Sequence, residues 1–167
     1  MTGVQTCALP IFDNLVNNDS TGETQASGGA SLNKYISEVV QLAQGQEAND
    51  LNVYLVNYRP PGTDVLVYAK LMNQYDPDKI SNKPWIQMQM ATGAGTYSSA
   101  SNPSNYIDYS YVMPSSVMTG PNGEYQYTYN GTTYTNYQYF SIKVVLLSSN
   151  PALVPKASEL RAIALQL

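Results

Sequence analysis

The chain has 167 residues, of which 12% are charged, and its twelve acidic and eight basic residues leave a formal net charge of −4. This length suits one domain with a hydrophobic core, and the scattered Lys and Arg residues offer no basic stripe for nucleic acid. No stretch approaches the roughly 20 apolar residues of a membrane-spanning helix, so membrane insertion is not expected.

The beginning of the chain is interpreted separately from the rest. Residues 2–11 (TGVQTCALPI) look like the in-frame translation of a sequencing-library adapter, as in a metagenomic read, and are excluded from the fold. Cys7 belongs to this stretch, and the natural protein is expected to extend upstream of Phe12. Residues 12–30 are mostly Asn, Asp, Ser, Thr and Gly, which predicts a flexible linker. Residues 31–167 are predicted to form one domain at the C-terminal end of a larger protein.

Short strands dominate the predicted domain. From residue 31 onward, runs rich in Val, Ile, Leu and Tyr alternate with Gly, Pro and Asn. The first clear strands are residues 35–42, 51–58 and 65–72. Between the last two, Pro61 and Gly62 suit the two central positions of a type II turn, since glycine accepts positive φ there. We therefore predict that strands 51–58 and 65–72 are hairpin neighbours.

The middle of the chain is predicted to alternate loops and strands. A loop at 73–83 precedes a short strand at 85–90, which contains the single tryptophan, Trp85. Residues 91–104 are rich in Gly and Ser and are predicted to be an exposed loop. Residues 106–113 alternate as a strand with one face in water.

The strongest local signal is Asn130-Gly131, which predicts a two-residue hairpin turn between strands 125–129 and 132–137. Such a turn places Tyr129 opposite Thr132 and Tyr127 opposite Tyr134.

The most apolar strand is predicted at residues 139–147, followed by a last strand at 160–165. In the first of these, alternate side chains should point into the core, namely Phe140, Ile142, Val144 and Leu146. The intervening side chains should face outward, namely Tyr139, Ser141 and Lys143. The pattern as a whole predicts an all-β fold, an antiparallel jelly-roll-like sandwich of about seven or eight strands.

Catalytic chemistry has few candidates in this sequence. The chain has no histidine, which removes the commonest general base and transition-metal ligand. We predict no enzymatic activity, no catalytic residues, no cofactor and no metal site. A glycosidase needs only two carboxylates, for which the candidates are Asp64, Asp76, Asp78 and Asp108. Calcium prefers carboxylate oxygens, which Asp76 and Asp78 could contribute. For Asp64 and Asp76, side-chain hydrogen bonds in turns are the favoured interpretation.

The fifteen tyrosines are the other conspicuous feature, and four of them fall in the predicted hairpin: Tyr125, Tyr127, Tyr129 and Tyr134. Cross-strand aromatic pairs stabilise hairpins, Tyr suits protein interfaces, and an exposed row of rings suits stacking on sugars. The four tyrosines are thus candidates for facing a protein or a glycan. Structural roles in turns and core are predicted for Pro61, Gly62, Trp85, Asn130 and Gly131.

Three segments together resemble a known family: residues 51–70 (LNVYLVNYRPPGTDVLVYAK), 76–88 (DPDKISNKPWIQM) and 139–165 (YFSIKVVLLSSNPALVPKASELRAIAL). They resemble a domain of virion structural proteins of contractile-tailed phages, especially those of cyanobacteria and other marine bacteria. The resemblance implies a non-catalytic tail or baseplate component located in the virion, with other virion proteins as partners and a homo-oligomer as one arrangement. The alternative interpretation is a carbohydrate-binding module of an adhesin or a polysaccharide-active protein.

Overall fold

The computed structural model describes residues 17–166, so the predicted adapter and residues 12–16 lie outside the described residues. The described part contains eleven strands and one 3₁₀ helix, Ile80–Asn82. The strands are β1 (Lys34–Ile36), β2 (Val40–Gln41), β3 (Asp50–Tyr58), β4 (Thr63–Met72), β5 (Ile86–Gln87), β6 (Gln89–Thr92), β7 (Ile107–Val112), β8 (Gln126–Tyr129), β9 (Thr132–Thr135), β10 (Tyr139–Ser148) and β11 (Lys156–Leu165). Within residues 17–166, no helix has the length and apolar character needed to cross a membrane.

Two antiparallel sheets pack face to face, which confirms the predicted all-β sandwich. The first sheet has the order β1-β10-β4-β5, and β2 also pairs with β10. The second sheet has the order β11-β3-β7-β6, and β8 and β9 form a separate hairpin. At the centre of the first sheet, β10 and β4 pair from Tyr139 opposite Met72 to Ser148 opposite Thr63.

The core between the sheets follows from the alternation of side chains along the long strands. One face of each strand is apolar and packs against the facing sheet, so that burial removes apolar surface from water. The buried contributors are Leu51, Val53 and Leu55 from β3, Val65, Val67, Ala69 and Leu71 from β4, Tyr109 and Tyr111 from β7, and Phe140, Ile142 and Val144 from β10. Leu146 packs against this core while half-buried, so the predicted inward set of β10 is confirmed.

The turn between β3 and β4 forms, but the predicted hairpin is wrong. Gly62 has a φ of 86°, and the Thr63 N–H donates to the Pro60 carbonyl at 3.1 Å. β3 pairs with β7 and β11, whereas β4 pairs with β10 and β5. A type II turn does not match the twist of a two-stranded hairpin. Here it carries the chain from one sheet to the other.

The hairpin at Asn130-Gly131 forms with the predicted register. Asn130 and Gly131 have φ values of 48° and 77°, as a type I′ turn requires. Tyr129 lies opposite Thr132 and Tyr127 opposite Tyr134. The local sequence alone therefore specifies this element.

Residues 17–31, here called the cover segment, pack on the outer face of the first sheet. Asn17 bridges to Ser148, and Glu23 is only 2% exposed. This corrects the prediction of a flexible linker for residues 17–30, because an acidic side chain is buried against the sheet. Lys143 has the outward orientation predicted for it, opposite Tyr68, but the cover segment buries it fully.

A second, smaller hydrophobic core lies on the outer face of β10. Tyr68, Trp85 and Val145 form a buried cluster there, with Leu147 packed against it. Trp85 is thus a core residue, as predicted. Ser141, also expected to face outward, is buried and donates its hydroxyl to the Ser37 carbonyl at 3.0 Å. β10 therefore packs against apolar side chains on both faces of its sheet.

Candidate functional site

The tyrosine hairpin, defined as residues 125–135, docks its tyrosine-bearing face on the body of the domain. Tyr125 is 4% exposed, and Tyr127 and Tyr134 stack with ring centroids 5.4 Å apart. The opposite face carries the exposed Thr128 and Thr133. The four tyrosines therefore do not form the exposed row that the sugar-stacking interpretation requires.

The Tyr127 hydroxyl anchors the hairpin to the loop at residues 73–83. It donates to Asp76 Oδ2 at 2.6 Å and accepts from the Asn73 N–H at 3.1 Å. The Asn73 amide in turn donates to the Thr135 carbonyl at 2.8 Å. Burial raises the pKa of Tyr127, and the neighbouring Asp76 carboxylate raises it further, so the hydroxyl remains a donor at neutral pH.

Lys83 holds the two carboxylates of the Asp76-Pro77-Asp78 motif. Its ammonium lies 2.7 Å from Asp76 Oδ2 and 3.0 Å from Asp78 Oδ2, and 3.7 Å from the centre of the Tyr129 ring. The motif predicted to make turn contacts thus joins the hairpin to the loop through one buried cation.

The protonation states of this cluster are fixed by its contacts. Burial opposes ionisation of Asp76, but the adjacent Lys83 ammonium and the hydrogen bond from Tyr127 outweigh it and lower the pKa of Asp76. A hydrogen bond from Asn82, with help from Lys83, lowers the pKa of Asp78 to about 2. Burial opposes the charge of Lys83, yet both aspartates together raise its pKa. Both carboxylates are ionised at neutral pH, and neither is poised to act as a general acid.

The four candidate aspartates fall into three separate ion-paired groups. Asp76 and Asp78 share Lys83, Asp64 accepts from Arg59 Nε at 3.1 Å, and Asp108 lies 3.4 Å from Arg161. Within residues 17–166, no group of three or more His, Cys, Asp or Glu residues is placed to hold a metal ion. Each described aspartate of the set therefore has a structural cation as its partner.

Sequence reasoning missed the buried polar node beneath the cover segment. Lys143 Nζ donates to the Glu23 carboxylate at 2.7 Å, to the Glu23 carbonyl at 2.6 Å and to the Gly28 carbonyl at 3.1 Å. The Trp85 ring lies 5.0 Å from Lys143 and 4.7 Å from Lys70. The available signal was the run Val144 to Leu147, which breaks the alternation of β10 and indicates burial on both faces.

One side of the sandwich is open, between edge strand β1 of the first sheet and edge strand β11 of the second. A groove of about 800 Å³ lies there. Apolar side chains from both sheets line it, including Tyr35, Val144, Leu146, Val154 and Leu160. We call this groove, together with residues 32–40 and 154–163 that flank it, the open side.

The exposed hydrophobic side chains are concentrated on the open side. The described residues include ten large exposed hydrophobics. Seven of these ten belong to the open side, namely Leu32, Tyr35, Ile36, Val39, Val40, Val154 and Ile163. Two of the seven, Tyr35 and Val154, line the groove itself. Ile36 lies opposite Lys143 on the outer face of the first sheet, and Ile163 lies opposite Asn52 on the outer face of the second.

Comparisons of the chain with protein-family models, with curated proteins and with solved structures find no significant match. The assignment of a function therefore depends on the residues and the geometry described above.

Proposed function

We propose that this domain is a non-enzymatic structural module that acts by binding other protein chains through its open side. The biological setting that we propose is the tail or baseplate of a contractile-tailed phage, with other virion proteins as partners. The setting depends on the resemblance of residues 51–70, 76–88 and 139–165 to virion proteins. The proposed mode of action, binding of other protein chains, depends on the apolar groove of the open side.

The observation that carries the proposal is the apolar groove between β1 and β11, with exposed apolar side chains on the segments that flank it. Interfaces between subunits gain most of their stability from apolar surface removed from water. Val39 and Val40 are 49% and 42% exposed, and Leu32 is 69% exposed. Such a surface is costly in isolation and is stabilised when another chain covers it.

The docking of the tyrosine hairpin favours assembly over the alternative of carbohydrate binding. The Tyr127 hydroxyl donates a hydrogen bond to Asp76, and Tyr125 is buried. Neither ring is therefore free to stack on a sugar. Tyr129 is packed on the Lys83 ammonium. The Tyr127 hydroxyl and the Tyr129 ring are therefore engaged within the domain.

The proposal is tested by expressing the 167-residue chain and measuring its assembly state. Mass photometry and negative-stain electron microscopy should detect ordered assemblies. Changing Ile36→Thr and Val40→Thr together should reduce assembly, because both substitutions remove apolar surface from the open side. The matched control is Tyr75→Ser, which removes a 77% exposed ring outside that side. A strictly monomeric product that is absent from purified phage particles would contradict the proposal.

A further inference from the structure

The cover segment, residues 17–31, lies on the first sheet without contributing an apolar side chain to either hydrophobic core. Its sequence is NNDSTGETQASGGAS, in which the only apolar side chains are those of two alanines. Three side chains of the segment are buried, and all three are polar, namely Asn17, Glu23 and Ser31. Polar contacts therefore hold the cover segment in place, and removal of apolar side chains from water contributes little.

Three lysines hold the cover segment by its oxygen atoms. Lys34 donates to two of its main-chain carbonyls at 2.7 and 2.8 Å, Lys70 to one at 3.1 Å, and Lys143 to two at 2.6 and 3.1 Å. Among residues 17–166, the one carboxylate in ion-pair contact with these lysines is that of Glu23, which lies 2.7 Å from Lys143 and 3.6 Å from Lys34. Three positive charges thus meet a single negative charge beneath the segment.

Glu23 is the group of this buried cluster that changes its charge in acid. The charged and titratable side chains packed around the segment are Lys143 from β10, Lys70 and Tyr68 from β4, and Lys34 from β1. Burial raises the pKa of Tyr68, and the Glu23 carboxylate raises it further, so this hydroxyl is neutral in acid. The three lysines are protonated in acid. Only Glu23 therefore titrates there.

We propose that protonation of Glu23 releases the cover segment from the first sheet while the two-sheet sandwich stays folded. Protonation removes the counter-ion of Lys143 and leaves its charge buried and uncompensated, which is strongly unfavourable. Release of the segment returns this ammonium to water. A region with few buried apolar contacts can open without the rest of the domain. The cover segment and the sheet beneath it are therefore a two-state element that acid biases towards the open state.

The direction of the change with pH follows from the environment of Glu23. Burial opposes its ionisation, but Lys143, the Ser31 N–H and Lys34 outweigh burial and lower the pKa of Glu23 below its ordinary value of 4.5. The unfastened segment then binds a proton more readily than the fastened one. Attachment is therefore complete above about pH 4.5 and is lost as the pH falls through the lower value of the closed state.

Release changes the chemistry of the outer face of the first sheet. Tyr68, Trp85 and Val145 form the buried cluster on that face. The Trp85 N–H donates to the Thr24 carbonyl of the cover segment at 2.8 Å, and the Tyr68 ring lies 4.5 Å from the Lys143 ammonium. Opening uncovers these rings, and an exposed apolar patch of this kind marks a surface for interaction. Acid thus converts a polar face into an apolar one.

The fluorescence of Trp85, the single tryptophan of the chain, tests the release. Acrylamide quenching of its emission should increase as the pH falls below about 4.5. In the same samples, amide exchange should accelerate in residues 17–31 and stay slow in β3 and β7 of the opposite sheet. Glu23→Gln should give the high quenching already at pH 7, with no further acid transition. Asp19→Asn is the matched control, because it removes an exposed carboxylate of the same segment and should keep the acid transition.

The order of the two losses decides the outcome. If β3 and β7 lose their amide protection at the same pH at which Trp85 becomes accessible, the segment opens only by global unfolding and the inference is overturned. Quenching that stays low until the sandwich unfolds would overturn it as well. An acid transition that persists in Glu23→Gln would assign the trigger to another group. If Glu23→Gln does not fold, the unaltered chain and Asp19→Asn still reveal the order of the two losses.

Discussion

The Lys143 ammonium lies 2.7 Å from the Glu23 carboxylate, and the two side chains are 0% and 1% exposed. This contact joins residues 120 positions apart in the chain. The other carboxylate oxygen, Glu23 Oε1, accepts from the Ser31 N–H at 2.7 Å and lies 3.6 Å from the Lys34 ammonium. The cover segment is therefore fastened to β10 by a buried, fully hydrogen-bonded charge pair.

Glu23→Gln should destabilise the domain strongly. The substitution leaves the Lys143 charge buried without its counter-ion, and breaking a buried pair on one side costs about 3–5 kcal/mol. Urea denaturation followed by tryptophan fluorescence measures the loss, since Trp85 lies in the same cluster. The control is Asp108→Asn, which breaks an exposed pair with Arg161 and should cost a small fraction of that loss. Equal effects of the two substitutions would contradict a structural role for Glu23.

Two adjacent glycines test whether the cover segment is packed or loose. Gly28 and Gly29 both have positive φ, 97° and 77°. A Cβ at Gly29 would lie 2.6 Å from Glu23 Cα, whereas a Cβ at Gly28 meets nothing within 4 Å. Gly29→Ala should therefore lower the melting temperature more than Gly28→Ala, which carries only the backbone cost of about 1–2 kcal/mol. Equal shifts in a calorimetric scan would indicate a loose segment.

Acid should weaken the domain through its buried carboxylates. The folded-state pKa values of Glu23 and Asp76 are lower than their ordinary values of 4.5 and 3.8, since their hydrogen-bonded cations outweigh burial. The unfolded chain then binds more protons than the folded chain as the pH falls below these values. The stability contributed by both groups is present above about pH 4.5 and is lost as the pH falls through the folded-state values.

Urea midpoints measured from neutral pH downward should therefore decrease below about pH 4.5. Asp76→Asn should make this decrease smaller, because the amide does not titrate in this range. Asp108→Asn is the matched control, because it removes a carboxylate that lies outside the buried clusters. An unchanged acid profile in Asp76→Asn would assign the pH dependence to other groups.

Secondary-structure elements that depend on neighbouring residues can be predicted from the sequence. The Asn130-Gly131 turn determines the register of β8 and β9 because two positive φ values leave few alternatives. The same reasoning fails for β3 and β4. The turn at Pro61 and Gly62 was identified, but the sheet that β4 joins depends on its pairing with β10, which lies far along the chain.

The candidate site shows the same division between local and long-range information. The sequence placed Tyr127 and Tyr134 on one face of a hairpin, and the structure pairs them. It did not reveal which way that face points, because Asp76 is 51 residues from Tyr127. Likewise, strand alternation assigned Lys143 to the outer face of β10 without revealing that the cover segment buries this face.

Tyr127→Phe should detach part of the tyrosine hairpin. The substitution removes a hydrogen bond to the buried Asp76 carboxylate and the acceptor of the Asn73 N–H, and unsatisfied buried groups cost about 1–3 kcal/mol. The control is Tyr134→Phe, because the Tyr134 ring stacks on Tyr127 and its hydroxyl has no hydrogen-bond partner within residues 17–166. Urea denaturation should separate the two variants, and amide exchange at Asn73 should accelerate only in Tyr127→Phe. Matching stabilities for both would mean that the Tyr127 hydroxyl does not anchor the hairpin to the loop.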